Sequence, residues 1–138
     1  MTPELALQKA IRARLTATAS VVSLVPAANV LDRHARPNPD PSIVIGEGRS
    51  IDDGDSIARD RARVVMDLHV WIKEPSTAGA KAIGGAIRSA IRSAPLALDS
   101  GYHAADCRVP SMRFLRDPDG ETSHAVVTVE AIVQEVAP

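Results

Sequence analysis

The chain has 138 residues, with 16 basic and 17 acidic side chains and a net charge near -1. That length suits one domain whose core needs no disulfide or metal staple. The charge balance argues against a protein that grips nucleic acid by its phosphates, which needs an excess of Lys and Arg gathered on one face.

Trp71, Tyr102 and Phe114 are the only Trp, Tyr or Phe rings, so the core must be built from Ala, Val, Ile and Leu. Cys107 stands alone and cannot close an intramolecular disulfide, which favours assembly in a reducing cytoplasm. The opening MTPELALQKAIRARL lacks the continuous apolar stretch of a signal peptide. No run approaches the ~20 apolar residues of a membrane span.

Thr2-Pro3-Glu4 predicts a helix start. Thr2 can cap the first free amides, Pro3 suits the first helical position, and Glu4 faces the positive end of the helix dipole. Leu7, Ile11 and Leu15 make one apolar stripe, with Lys9, Arg12 and Arg14 away from it. A short helical turn is expected over Val21, Val22 and Leu24, ending before Pro26.

Residues 27–42 are rich in Pro, Asn and Asp, with a short strand at Val30-Leu31 and prolines at 37, 39 and 41 that forbid regular structure. A strand is expected at Ser42–Gly46. Residues 49–63 read as a long charged loop or an exposed hairpin tip.

Period-two alternation from Arg63 to Lys73 predicts a strand with Val64, Met66, Leu68, Val70 and Ile72 inside and the other parity partly wet. A second helix is predicted over Pro75–Ala94. It carries an Ile83/Ile87/Ile91 stripe, a parallel stripe of Ala82, Ala86, Ala90 and Ala94, and Lys81, Arg88 and Arg92 outside. Gly84-Gly85 costs about 1 kcal/mol per Gly relative to Ala. A close approach by another backbone would justify that cost.

Strands follow at 104–116 and 122–136, the first with a bulge or edge position at Pro110. Asp117-Pro118-Asp119-Gly120 between them has the signature of a type I turn, often followed by a Gly bulge. The expected fold is α+β: a mostly antiparallel twisted sheet of about five strands flanked by two main helices, all in one domain.

Sites for chemistry are sparse. Gly46-Glu47-Gly48 has no third Gly and opens no helix, so it is not a phosphate loop. His34, His69, His103 and His124 fall at no zinc spacing; His69 is expected in cross-strand pairing and His124 beside an acid near the turn. The acids of 52–60 are interleaved with arginines and do not match a calcium loop. Turn chemistry accounts for Asp117 and Gly120. Cys107 reads as a small buried hydrophobe. No Gly-x-Ser-x-Gly elbow occurs, and three scattered aromatics make no platform for single-stranded nucleic acid. No cofactor and no enzymatic activity are expected.

Four ordered segments carry a family resemblance. They are Thr2-Pro3-Glu4-Leu5-Ala6-Leu7-Gln8-Lys9-Ala10-Ile11, then Leu68-His69-Val70-Trp71, then Ala94-Pro95-Leu96-Ala97-Leu98. The last is Leu115-Arg116-Asp117-Pro118-Asp119-Gly120-Glu121-Thr122-Ser123-His124. In this order the chain resembles the tail completion, or tail terminator, proteins of long-tailed bacteriophages and gene transfer agents.

The resemblance implies a virion protein forming a ring, typically a hexamer, at the head-proximal end of the tail tube. Its implied partners are further copies of itself, the major tail tube protein and the head-tail connector or stopper, with DNA passing through the lumen without specific binding. A head-side adaptor is the alternative role, and a small metal-dependent enzyme using Asp52, Asp53 and Asp55 is a third.

A ring needs interfaces that close on themselves. The candidate contact residues are Asp52, Asp53, Asp55, Arg59, Asp60 and Arg61 of the charged segment, Gly84, Gly85 and Arg88 of the second helix, and Arg116 and Asp117 at the last turn. The small-residue stripe packing on the chain's own sheet is the competing reading.

Overall fold

The computed structural model describes residues 1–32 and 39–136. The elements, in order, are α1 (Pro3–Ala17), α2 (Ala19–Val22), a 3-10 turn (Ala27–Asn29), β1 (Val30–Leu31), β2 (Ser42–Ile51), β3 (Arg61–Lys73), α3 (Ala78–Arg92), β4 (Tyr102–Arg116) and β5 (Thr122–Glu135). His34 and Pro37 of the expected irregular segment lie outside the described residues.

The strands form one sheet in the order β1-β2-β3-β5-β4. β1 runs parallel to β2, and every other pairing is antiparallel. The α+β expectation therefore holds. The strand expected at Ser42–Gly46 runs on to Ile51 because β2 and β3 are the two arms of a hairpin, and only 52–60 remain as its tip.

The alternation decides which sheet face is buried. Ile43 and Ile45 of β2, Val64, Met66, Leu68 and Val70 of β3, and Ala125, Val127, Val129, Ala131 and Val133 of β5 are almost fully covered. Register confirms a shared face, with Val64 opposite Ala131, Met66 opposite Val129, and Leu68 between Ile45 and Val127. Leu7, Ile11 and Leu15 of α1 and Ile83, Ile87 and Ile91 of α3 join them in one core. Burying each such side chain is worth about 1.5–3 kcal/mol. Both long helices thus pack on one face, and among the described residues no helix lies on the opposite face.

The helix ends are tied down by specific groups. Thr2 Oγ1 accepts from the Leu5 N–H at 3.2 Å, as its position predicts. The start of α3 is held from further away: Glu74 takes the Gly79 and Ala80 N–H groups at 2.7 and 2.9 Å. At its other end the Arg14 guanidinium donates to the carbonyls of Ala90, Ala94 and Pro95 at 2.8–3.0 Å. A cation there also meets the negative end of the helix dipole. Arg14 is therefore the side chain that locks α1 to α3.

Candidate interaction surfaces

The charged tip of the β2–β3 hairpin is internally paired. Asp52 Oδ1 accepts from the Gly54 N–H at 2.8 Å and faces Arg59 at 3.4 Å. Arg61 lies 3.7 Å from Asp55, and Arg63 makes two hydrogen bonds to Asp53 at 3.1 and 3.2 Å. Asp60 accepts from Ser56 Oγ at 2.9 Å, and this bond holds its carboxyl below the usual range. Gly54 and Arg59 adopt positive φ, +72° and +55°, which folds the tip back on itself. Fully exposed at its crest is Ile57. Exposed pairs of this kind add little to stability, because water screens them. Their effect is to give the loop a defined shape with its charges largely neutralised.

On α3 the two glycines have different surroundings. Gly84 is buried, and an added Cβ would sit 3.2 Å from Phe114 Cε1 and 3.4 Å from Met112 Sδ. The close neighbours are side chains of β4, where the sequence reading asked for a backbone. Gly85 has nothing within 4 Å of such a Cβ. The alanine stripe divides too: Ala90 is buried, Ala86 half-buried, and Ala82 and Ala94 exposed. Gly85, Ala82 and Arg88 thus share the outer surface of the helix.

Beyond β4, the Gly120 N–H donates to the Asp117 carbonyl at 3.0 Å and Gly120 has φ +75°, as the turn signature predicts. Asp119 accepts from the Glu121 and Thr122 N–H groups at 2.8 and 2.9 Å, bonds that hold its carboxyl below the usual range. Arg116 is exposed at the end of β4. β4 itself is an edge strand, and its register shifts on both sides of Arg108. Pro110 falls in the second shift and Asp106, at φ +51°, in the first. Both bulge and edge are therefore realised. Such breaks keep an edge from pairing indiscriminately. Cys107, beside them, is half-buried, and burial pushes its thiol up to about 11, which keeps it protonated.

A further surface was not singled out from the sequence. The helix-free sheet face carries Trp71, His69, Asp67 and Arg63 of β3 beside His124, Thr128 and Glu130 of β5. The Trp71 and His124 rings stack at 3.8 Å and 6°. His69 Nδ1 lies 2.9 Å from His124 Nε2, and His69 Nε2 lies 3.0 Å from Glu47 Oε2. The two imidazoles meet edge to edge, since 2.9 Å between nitrogens and 5.1 Å between centroids leave no room for face-to-face overlap.

Glu47 reaches the pair because β2 shifts register between Ile45 and Gly48. Gly46 makes the room: a Cβ there would fall 2.6 Å from His69 Cδ2. His124 therefore meets a second imidazole and an indole, where the sequence reading expected an acid. Further along the face Glu130 joins Arg63 and Arg108, each at 3.1 Å, and Asp67 accepts from Thr128 at 2.7 Å.

Among the described residues, the sheet has one helix-covered face, one face of mixed polarity without a helix, and an irregular edge at β4. The chain belongs to the tail completion protein gp17 family, whose model matches residues 9–134. Its fold is similar to a chain of the virion of a native gene transfer agent particle, at 23% identity and TM-score 0.78, covering 94% of this chain and 95% of that one. It is similar also to the gp17 protein of bacteriophage SPP1, at 24% identity and TM-score 0.62, covering 97% and 91%. No curated protein sequence matches it significantly.

Proposed function

We propose that this chain is a tail terminator: a non-enzymatic structural subunit that forms a ring, taken as a hexamer, at the head-proximal end of a phage or gene transfer agent tail tube. The ring stops tube growth and presents the surface that joins the tail to the head. Its partners are neighbouring copies, the major tail tube protein and the head-tail connector, and DNA passes through its lumen unbound.

The observation that carries this reading is the family match over residues 9–134. The surfaces are consistent with it. A net charge near -1 spares passing DNA a sticky wall. The tip residues Asp52, Asp53, Asp55, Arg59, Asp60 and Arg61 are candidates for the tube or connector contact. The outer helix surface at Gly85 and Arg88 and the turn at Arg116 and Asp117 are candidates for subunit contacts, whereas Gly84 is buried against the chain's own β4 and is not one.

Deletion of the gene tests the role. Particles without the protein carry tails of uncontrolled length or tails that fail to join heads, and normal particles would sink the proposal. Imaging the intact particle places the chain beside the tube; a position beside the portal would make it the head-side adaptor instead. Native mass spectrometry of the protein on its tube reads the ring order.

A further inference from the structure

We infer that Glu47, His69 and His124 form a proton-operated latch on the open face of the sheet, closed while the two imidazoles share a hydrogen and opened when both are protonated. The proton count follows from the geometry. Glu47 faces His69 Nε2 at 3.0 Å, which assigns the hydrogen on that nitrogen as the donor to the carboxylate. His69 Nδ1 is then an acceptor, and the His124 Nε2–H donates to it across 2.9 Å.

One added proton leaves this chain intact, because either ring can carry it while a single hydrogen still lies between the facing nitrogens. A second proton puts hydrogens on both facing nitrogens. Two donors and two like charges then oppose each other at 2.9 Å, and the contact breaks.

Several local features suit the latch. Gly46 leaves space for the His69 ring, and the register shift in β2 delivers Glu47 to it. Trp71 covers one face of His124. Around the pair, Glu47 faces it from β2, Asp67 stands two residues from His69 on β3, Arg113 sits beyond Val126 on β4, and Asp117 lies at the β4–β5 turn. Burial first, and then His69, hold the His124 imidazolium below its ordinary value. Hydrogen bonding from His69 holds the Glu47 carboxyl below its own.

The pH dependence follows. The unfolded chain takes up the His124 proton more readily than the folded one, so this group's contribution to stability is present above the unfolded value of 6.5 and is lost as the pH falls below it. Acid also adds positive charge to the helix-free face.

The test follows the ring signals of the intact protein by NMR from about pH 8 to pH 5, assigned by single substitutions. Wild type shows His69 and His124 titrating as a coupled pair in two separated steps. His124→Phe keeps a ring against Trp71 and leaves His69 with one simple step. Glu47→Gln moves the first step to lower pH. Thermal unfolding run alongside shows the wild-type midpoint falling below about pH 6.5, with that slope reduced in His124→Phe.

If each wild-type ring titrates in one step that is unmoved by substitution of the other, the latch does not exist. An unchanged unfolding slope in His124→Phe likewise overturns it. Should His124→Phe not fold, His124→Gln and His69→Gln provide the same comparison, since each leaves one titrating ring and one neutral hydrogen-bonding partner.

Discussion

At the scale of single residues, stability is concentrated in a few side chains that tie distant elements together. Arg14 donates to three carbonyls at the end of α3. Hydrogen bonds to a charged group contribute about 1.5–3 kcal/mol when part-buried, and less when wet. Arg14→Ala is therefore expected to lower the unfolding free energy by about 2 kcal/mol in urea titration. Arg14→Lys recovers only part of this, because a point ammonium cannot span three carbonyls as a planar fork does. Gly46→Ala forces a methyl into the space of the His69 ring. Overpacking of this kind costs about 1–3 kcal/mol, and chemical denaturation of the variant checks it. The same substitution displaces His69 from His124.

Elements show how far a local pattern can be trusted. The stripes of α1 and α3, the alternation of β3 and the turn at Asp117–Gly120 are all legible in the sequence because each is decided by neighbours a few residues apart. The glycine pair was only half legible. Its cost to a helix is local, but its reason is not, because Phe114 and Met112 come from β4. This yields opposite expectations for adjacent residues. Gly85→Ala gains helix propensity in open space and stabilises by about 0.5–1 kcal/mol. Gly84→Ala meets Phe114 at 3.2 Å and loses some or all of that gain. Differential scanning calorimetry of the two variants separates them. Glu74→Gln weakens the anchor on the first amides of α3 and lowers stability by about 1 kcal/mol in the same measurement.

For the molecule as a whole, two pH windows are expected. The histidine contribution fades below about pH 6.5. A second loss comes from carboxyls whose folded values are lowered: Glu4 by its Ser50 hydrogen bond, Glu47 by His69 and Asp119 by the Glu121 amide. Their contributions are present above the unfolded values of 4.5 for Glu and 3.8 for Asp and are lost as the pH falls through the folded ones. An acid unfolding curve followed by circular dichroism therefore has a shallow shoulder near neutrality and a steeper fall below about pH 4.5, and His124→Phe reduces the shoulder alone.

The candidate contact residues of the tip and turn were legible as charged, exposed segments. Their mutual pairing was not, because it depends on how the hairpin folds back. The His69–His124 pair was hidden for a stronger reason. The residues stand 55 apart in sequence and meet only because β5 inserts beside β3.

The sequence by itself determined an α+β chain with an aliphatic core, a capped first helix, a particular last turn and a resemblance to tail completion proteins. These rest on composition, on periodicities of two and 3.6 residues, and on short-range turn chemistry. Only the tertiary structure decided which strands are neighbours, that both long helices share one face, and that Glu47, His69, His124 and Trp71 converge on the other. Strand order and register are set by burying the whole apolar face at once, and no local window of residues contains that sum.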